Sequence, residues 1–345
     1  MNTSTPYKIL IEKNLINNVR DKLTFLQSDC KILIVTDKNV EKLYLKNLVD
    51  QLKANFLVFH FVVPAKEKAK SFKYAKKIYN FLCKNNFSRS DCILALGGGV
   101  VGDLAGFISS TFLRGIPFVN IPTSLLSQVD SSIGSKTGIN TPYGKNLVGS
   151  FYSPKLVLID PKLISTLPAY EISNGFSEII KYALIKDQEL FFNLKNLSKS
   201  QLFENLEDII LKCVLIKKEL IEKDEFDKNS RMLLNFGHTL GHAIEKLGKF
   251  KKYSHGQAVS IGMKMMVESC VKNNILDKSI NSDLQFILDK FSLPSSCSFD
   301  KKEIILASLN DKKFFDNKFN IVLLSSIGNG YIQNFTKEDY EKFLL

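Results

Sequence analysis

Three of the chain's four histidines lie close together, at His238, His242 and His255. His238 and His242 are four residues apart, so a helix places both imidazoles on one face. Imidazoles bind metals and exchange protons near neutral pH. The spacing lacks the glutamate of the H-E-x-x-H zinc proteases, so a carboxylate ligand has to come from elsewhere, and Glu178 on a predicted helix is a candidate. The cluster predicts a three-ligand metal site, with hydrogen-bonded core histidines as the alternative.

A glycine-rich turn lies far upstream, between a predicted strand and a predicted helix. Gly97, Gly99 and Gly102 match G-x-G-x-x-G, whose glycines let backbone amides approach a pyrophosphate at a helix N-terminus. The standard fingerprint also has an acid about 20 residues later. This chain has Asn120 in that region, and the acid is instead upstream, at Asp37. The turn predicts either a nucleotide site without the standard dinucleotide arrangement or a tight structural turn.

A run of polar and small residues extends over 128–140 and continues through 144–146. Lys136, Lys145 and Asn146 offer donors that suit a phosphate or a carboxylate. We expect these residues to lie in loops. The alternative is an ordinary solvated loop without a ligand.

The candidate residues must be positioned by helices and strands, and the hydrophobic pattern of these elements differs between two parts of the chain. Continuous apolar strands alternate with helices in the first half, as in a parallel sheet covered on both faces. Amphipathic helices and one late hairpin dominate from about residue 171. The pattern predicts strands at 31–37, 56–63, 91–96, 117–121 and 155–160, helices at 71–86, 172–187, 202–223, 231–247, 254–273 and 280–291, and a hairpin at 320–332. We expect an α/β N-terminal domain with a Rossmann-like parallel sheet at 1–170, followed by a mainly α-helical C-terminal domain at 171–345.

The net charge is +12 over 345 residues, and lysine carries most of the positive charge. Arginine forms the better base and phosphate contacts but is scarce here, which favours a solvated lysine-rich surface over a nucleic-acid-binding one. We find no apolar run of about 18 residues that would span a membrane, and no signal-peptide pattern. We expect a cytoplasmic protein with no nucleic-acid or membrane partner.

Six motifs occur in order: GGGVVGDLAGF, RGIPFVNIPTSLLSQVDSSIGSKTGIN, GKNLVGSFYSPK, FSEIIKYALI, RMLLNFGHTLGHAIE and SHGQAVSIGM. Together they resemble the 3-dehydroquinate synthases, the NAD- and zinc-dependent sugar-phosphate cyclases of the shikimate pathway, which leads to chorismate and the aromatic amino acids. The resemblance implies that residues 1–170 bind NAD, that 171–345 bind metal and substrate, and that the protein is a homodimer.

The resemblance also implies individual roles. The metal, Zn²⁺ or Co²⁺, would be held by Glu178, His238 and His255. His242 would not be a ligand but would face the substrate phosphate and assist proton transfer. The catalytic residues implied are Lys136, His242, Asn146, Arg231 and Asn235. Substrate binding is implied for Asp130, Lys145, Lys217 and Arg114, the last reaching into the partner subunit. The cofactor contacts implied are Asp37, Glu67, Lys70, Gly98, Gly99, Asp103, Thr123, Ser124, Lys136, Lys145 and Thr166.

Three positions depart from the family pattern or leave it open. Ser135 replaces the usual glycine before the catalytic lysine, which strains the backbone if that position needs a positive φ. Ser124 replaces the second threonine of a Thr-Thr pair but keeps the hydroxyl. Lys312 or Lys313 would reach the substrate, and the motif does not distinguish them.

The reaction implied converts 3-deoxy-D-arabino-heptulosonate 7-phosphate to 3-dehydroquinate and phosphate. NAD⁺ takes hydride from C5, phosphate leaves by β-elimination, the hydride returns, and an intramolecular aldol step closes the ring. Another sugar-phosphate cyclase, forming an inosose or a valiolone, and a metal-dependent polyol dehydrogenase are the alternatives. A non-catalytic nucleic-acid-binding protein is a third, but it leaves Glu178, His238 and His255 unexplained.

Overall fold

The computed structural model describes residues 1–309 and 318–345. Lys312 and Lys313 lie outside the described residues. The chain divides into two compact units, the first formed by Met1–Leu167 and Lys217–Phe226, the second by Pro168–Ile216 and Asp227–Leu345. Among the described residues, no helix is both long enough and apolar enough to cross a bilayer.

The first unit is built on a six-stranded sheet in which every strand pair is parallel. Its strands and a separate antiparallel hairpin are β1 Lys8–Ile11, β2 Lys31–Asp37, β3 Leu57–Val63, β4 Cys92–Gly97, β5 Phe118–Pro122, β6 Lys136–Thr141, β7 Gly144–Phe151 and β8 Leu156–Ile159. The sheet order is β1-β8-β5-β4-β2-β3, and β6 pairs with β7. The α/β expectation is confirmed, although the patterning missed β1.

Apolar side chains on both faces hold the sheet in place. Ile32 and Ile34 of β2 enter a buried cluster on one face, and Leu33 and Val35 enter another on the opposite face. Because both faces are buried, the strand reads as a continuous apolar run rather than an alternating one. The helices of this unit are α1 Val19–Lys22, α2 Lys38–Val40, α3 Lys46–Leu52, α4 Phe72–Lys84 and α5 Gly99–Thr111.

The strand order places a topological switch point between β2 and β4. The chain leaves β2 for β3 on one side and then returns to pair β4 with the other side of β2. Ligands of such sheets bind outside the carboxyl ends of the strands at this point. Asp37 ends β2 and Gly97 ends β4, so the acid and the glycine turn flank the same crevice.

The expectation of loops at 128–140 and 144–146 is wrong. A π-helical turn covers Ser127–Ser131, and β6 and β7 then form an antiparallel ribbon. Small and polar residues have low strand propensity, which hid the ribbon. Gly138 faces Gly149 across it, and a Cβ at Gly149 would lie 2.1 Å from the carbonyl oxygen of Thr137, so this pairing requires the glycine.

The second unit is mainly helical, as expected, with one hairpin. The remaining elements are α6 Ala169–Lys186, α7 Gln188–Asn196, α8 Lys199–Glu204, α9 Leu206–Lys223, α10 His238–Leu247, α11 His255–Lys272, α12 Lys278–Lys290, α13 Lys301–Leu309, β9 Lys318–Ser326, β10 Asn329–Thr336 and α14 Lys337–Leu344. The part of α9 from Lys217 onward belongs to the first unit. The antiparallel pairing of β9 and β10 confirms the predicted hairpin.

Two predicted helices are interrupted. The 202–223 segment breaks at Asn205, which ends α8. The 231–247 segment begins as a 3₁₀ helix, Ser230–Asn235, and becomes α-helical only at His238. Gly237 separates the two pieces with a φ of 73°, in the left-handed region that favours glycine.

Candidate functional site

Three helices of the second unit bring Glu178, His238 and His255 together. Glu178 lies in the buried middle of α6, and the two histidines are the first residues of α10 and α11. One ligand atom from each residue lies within 4.8 Å of the other two. The structure thus gathers these three predicted site residues at one point.

Local capping fixes where each histidine emerges. Gly237 has a φ of 73°, and a Cβ there would lie 2.8 Å from the backbone nitrogen of Met263, so the turn that starts α10 at His238 favours glycine. Ser254 caps α11 in a capping box with Gln257. The Ser254 hydroxyl donates to Oδ1 of Asn174 at 2.6 Å, which ties the start of α11 to α6 one turn before the carboxylate.

The ligand atoms have the spacing of a metal site. Nε2 of His238 lies 3.4 Å and Nε2 of His255 lies 3.5 Å from Oε1 of Glu178. Ligands about 2.0–2.1 Å from a tetrahedral zinc lie roughly 3.4 Å apart. Glu178 is fully buried, and neither carboxylate oxygen accepts a hydrogen bond of normal geometry within the described chain. Because Oε2 already pairs with the Lys181 ammonium, the position that fits a further cation is at Oε1, which faces both imidazoles.

Two charged residues beside the site were missed by the sequence reasoning. The Lys181 ammonium forms an ion pair with Oε2 of Glu178, and both side chains are buried on α6. Oε2 of Glu245 lies 3.4 Å from Nδ1 of His255. The motif FSEIIKYALI carried a signal for Lys181, because a helix that is apolar on all sides buries the few charges it contains.

These charges shift the pKa values of the site. Burial raises the pKa of Glu178, but Lys181 and His238 outweigh it and hold that pKa well below its usual value. Burial lowers the pKa of His255, but the nearby carboxylates of Glu178 and Glu245 raise it to about 10. A bound metal takes the place of a proton on such a histidine.

His242 belongs to a second grouping with Glu245 and His255, whose ligand atoms also lie within 4.8 Å of one another. The ring centroids of His242 and His238 are 5.6 Å apart. His242 is the exposed member, whereas Glu245 is buried. The other two predicted site residues of this unit, Arg231 and Asn235, lie in the 3₁₀ helix before α10, and Arg231 is buried.

In the first unit, the predicted cofactor residues other than Lys136 and Lys145 lie at the carboxyl edge of the sheet. They end or follow β2, β3, β4, β5 and β8 in turn: Asp37; Glu67 and Lys70; Gly98, Gly99 and Asp103; Thr123 and Ser124; Thr166. This is the edge at which parallel α/β sheets bind ligands. The structure therefore brings residues from five separate chain segments to one edge.

The glycine turn after β4 places the N-terminus of α5 at the carboxyl edge of the sheet. Gly98 is the N-cap of α5, whose first residue is Gly99. A Cβ at Gly98 would lie 3.2 Å from the Ser124 hydroxyl, and a Cβ at Gly99 would lie 2.6 Å from the Ser131 hydroxyl. Packing against the protein thus accounts for part of the glycine pattern. The N-terminus of α5 still offers amide donors suited to a phosphate.

Lys70 connects the predicted nucleotide residues to the β6–β7 ribbon. Its buried ammonium donates to Oδ2 of Asp103 and to Oδ1 of Asn146, each at 2.5 Å. Burial raises the pKa of Asp103, and Lys70 opposes that rise. The side chain of Asp37 caps α2 by accepting from the backbone N–H of Asn39 at 2.8 Å.

The remaining predicted residues of this unit lie on separate elements. Lys136 begins β6, and Lys145 lies on β7. The Lys217 ammonium donates to the backbone carbonyl oxygen of Asp130 at 2.7 Å and to its Oδ1 at 2.8 Å. Arg114 is exposed, with a φ of 65°.

Ser135 has a φ of 63°, in the left-handed region. It therefore adopts the conformation that the usual glycine would take without strain. Its hydroxyl bonds to the Ser153 hydroxyl at 2.8 Å, and its carbonyl accepts from the Tyr152 N–H at 2.7 Å.

Comparisons with known proteins identify the family. A family model of the N-terminal part of 3-dehydroquinate synthase matches residues 60–174, and one of the C-terminal part matches residues 175–314. The 3-dehydroquinate synthase of Clostridium botulinum is 46% identical over 331 residues, 95% of each chain. That of Streptococcus gordonii is 41% identical over 343 residues, 98% of this chain and 97% of the relative.

Two solved structures share the fold. The 2-epi-5-epi-valiolone synthase of Streptomyces hygroscopicus, with NAD⁺ and Zn²⁺ bound, has a TM-score of 0.89 and 27% identity, covering 100% of this chain and 97% of its own. A 2-deoxy-scyllo-inosose synthase complexed with carbaglucose-6-phosphate, NAD⁺ and Co²⁺ has a TM-score of 0.87 and 22% identity, covering 99% and 97%, and it supports the fold alone. Because both family models and full-length relatives match, the chain belongs to the 3-dehydroquinate synthase family.

Proposed function

We propose that this chain is a 3-dehydroquinate synthase, a phosphate-eliminating carbon–oxygen lyase acting on 3-deoxy-D-arabino-heptulosonate 7-phosphate. Family membership supports the proposal, and one observation of the structure carries it. Oε1 of the buried Glu178 carboxylate lies 3.4 Å from Nε2 of His238 and 3.5 Å from Nε2 of His255. Such a set holds a catalytic metal and leaves positions open for substrate hydroxyls.

The proposed cofactors are NAD⁺ and a divalent metal, Zn²⁺ or Co²⁺. When bound, NAD⁺ accepts and returns a hydride, and the metal polarises the hydroxyl that is oxidised. Glu178, His238 and His255 would hold the metal. Residues 1–170 would supply the nucleotide site, where Asp37 and the N-terminus of α5 flank the switch point of the sheet. Residues 171–345 would supply the metal centre.

The protein's own cations would bind an anionic substrate. A sugar phosphate with a carboxylate needs several positive partners, and Lys136, Lys145, Lys217 and Arg231 are the residues we assign to them. Lys217 is already held by Asp130, so its position is fixed before substrate binds. His242 is exposed beside the proposed ligands and is the group we assign to proton transfer.

We also propose that the enzyme works as a homodimer in which Arg114 reaches the partner's substrate. Leu113 and Arg114 are both exposed, and both have a positive φ. Such strained, exposed turns are common where a side chain is presented to a ligand. Light scattering after gel filtration tests the dimer, and Arg114→Ala should raise KM for the sugar phosphate without removing the metal. A monomer in solution at assay concentration contradicts this part of the proposal.

The decisive experiment measures phosphate release from 3-deoxy-D-arabino-heptulosonate 7-phosphate by the metal-loaded protein. We expect release that requires catalytic NAD⁺, stops with chelator and accumulates no NADH. The product should be 3-dehydroquinate by mass spectrometry and NMR. No phosphate release with metal and NAD⁺ both bound refutes the proposal.

The alternatives give different results in the same experiment. A polyol dehydrogenase accumulates NADH and releases no phosphate. A valiolone or inosose synthase leaves this substrate untouched and acts on a different sugar phosphate. The 2-epi-5-epi-valiolone synthase shares the fold, so the identity of the product rather than the architecture separates these activities.

A further inference from the structure

Asn140, on β6, uses both ends of its side-chain amide and its backbone N–H in hydrogen bonds. Its Nδ2 donates to Oε2 of Glu67 at 2.6 Å. Its Oδ1 accepts from the backbone N–H of Asn146 at 3.0 Å. Its own backbone N–H donates to the carbonyl oxygen of Lys70 at 2.9 Å. One side chain therefore joins the turn after β3 to β7.

These bonds close a ring through Lys70. The Lys70 ammonium donates to Oδ1 of Asn146 at 2.5 Å, so Asn146 is held at its backbone by Asn140 and at its side chain by Lys70. Asn146 has a φ of 56°, in the left-handed region that asparagine adopts more readily than most other non-glycine residues. The ring supplies the contacts that keep Asn146 in this conformation.

Charge makes the arrangement specific for an amide at position 140. Glu67 offers an acceptor and the Asn146 N–H offers a donor, and an asparagine side chain is complementary to both. A carboxylate at position 140 would satisfy Asn146 but would place two negative charges about 2.6 Å apart beside Glu67.

We propose that Asn140 is a positioning residue that locks the ribbon carrying Asn146 to the nucleotide-binding pair Glu67 and Lys70. This inference rests on the proposed function, in which Glu67 and Lys70 contact NAD and Asn146 acts in catalysis. Asn140 would act through Glu67 and Asn146, the residues its side chain bonds to. Its loss weakens NAD binding and turnover together, because both depend on the same ring of hydrogen bonds.

The test compares Asn140→Asp in two backgrounds, wild type and Glu67→Gln. In the wild type, we expect the Kd for NAD⁺ to rise about tenfold and kcat to fall about tenfold. In the Glu67→Gln background, an amide can donate to the new carboxylate, so the same change should cost less than about threefold. Tyr143→Ser, on a side chain 94% exposed in the same hairpin, is the matched control and should match the wild type.

Each result decides the inference. If Asn140→Asp raises the Kd for NAD⁺ less in the Glu67→Gln background than in the wild type, the proposed ring of hydrogen bonds is supported. A general loss of fold would not be rescued by changing Glu67. If Asn140→Asp raises the Kd for NAD⁺ equally in both backgrounds, or does not raise it at all, the inference is wrong. Asn140→Ala gives a second variant should Asn140→Asp not fold, and it should weaken NAD⁺ binding in the same direction. NAD⁺ binding is measured by calorimetry without substrate, so inactivity of the wild type would count against the proposed function alone.

Discussion

In His238 and His255, the ring nitrogen Nε2 faces Glu178, whereas Nδ1 lies near a different oxygen of the chain. Nδ1 of His238 lies 3.1 Å from the carbonyl oxygen of Phe236, and Nδ1 of His255 lies 3.4 Å from Oε2 of Glu245. In a neutral imidazole, a proton on Nδ1 leaves the lone pair on Nε2. Both Nε2 atoms face the same carboxylate oxygen. The residues around the site thus set the tautomer that a metal needs.

The role of Glu245 can be tested directly. Glu245→Gln removes the charge that orients and polarises His255, so zinc affinity should fall about 10–100-fold. Competition with a chromophoric chelator measures the affinity, and circular dichroism should show the helices intact. Glu268→Gln, an exposed carboxylate on α11, is the matched control and should bind zinc as the wild type does. Equal affinity in both variants would show that Glu245 does not act on the metal site.

Ser135 provides a test of local strain. Ser135→Ala keeps the left-handed backbone but loses the bond to Ser153, which should lower the free energy of unfolding by about 1 kcal/mol. Ser135→Gly loses the same bond but relieves the strain, so it should be more stable than Ser135→Ala by about 1 kcal/mol. Urea unfolding of the two variants gives the difference. If alanine proves as stable as glycine, the φ of this residue carries no strain.

Glu178, His238 and His255 could be predicted as one ligand set because six motifs in order indicated a family resemblance, and that resemblance implies these three ligands. Residue spacing alone does not link Glu178 to the two histidines. Glu245 and Lys181 were missed for a physical reason. Glu245 is a charged residue on an amphipathic helix, and such residues normally face solvent, so only the packed structure shows that it is buried. Lys181 differs, because its apolar surroundings on α6 did indicate burial, but helical spacing does not show that the buried ammonium pairs with Glu178.

At the scale of elements, glycines allow α6, α10 and α11 to pack closely. A Cβ at Gly256 of α11 would lie 2.6 Å from the Cα of Asn174 on α6. A Cβ at Gly262 would lie 2.1 Å from the carbonyl oxygen of Gly237, just before α10. At these two points the backbones of the ligand-bearing helices approach one another closely, which leaves no room for a side chain at either glycine.

Gly256→Ala should therefore push α11 away from α6. We expect a loss of about 1–3 kcal/mol in the free energy of unfolding, as for other overpacked contacts. Zinc content after purification should fall as well, because His255 precedes the changed residue. Glu268→Ala on the exposed side of the same helix should change neither quantity. Full zinc occupancy in the Gly256→Ala protein would argue that the helix contact does not set the ligand spacing.

The elements differ in how well the sequence revealed them. β2 and β4 were predicted because burial on both faces makes them continuous apolar runs. The β6–β7 ribbon was not, because Gly138 and Gly149 pair by close backbone approach, which leaves no apolar alternation to detect. The interruption at Gly237 was also missed, because the apolar residues on its two sides keep a helical spacing even though Gly237 itself is left-handed.

For the whole molecule, the two units hold different chemical groups. The carboxyl edge of the parallel sheet gathers the proposed nucleotide contacts, and the three-helix cluster gathers the proposed metal ligands. Each unit has its own internal contacts. The two cofactors should therefore protect different parts of the chain.

Hydrogen exchange detects this separation. Zinc should slow amide exchange at the starts of α10 and α11, and NAD⁺ should slow it at the start of α5, since ligands protect the segments that they hold. Peptide-level exchange with mass spectrometry, with each ligand added alone, gives the two maps. Zinc protection centred on α5 would contradict the assignment of ligands to units.

Residues 217–226 belong to the first unit, although residues 168–216 of the second unit precede them in the chain. The ribosome therefore completes the first unit only after it has made part of the second. Until then Asp130 lacks its hydrogen bond from Lys217. The backbone N–H groups of Asn2 and Ser4 likewise lack the side-chain oxygens of Glu222 and Glu225 to which they donate. A gene fragment that stops at residue 167 would encode this unit without the end of α9 and the contacts that residues 217–226 make. Any attempt to produce the two halves separately has to keep 217–226 with the sheet.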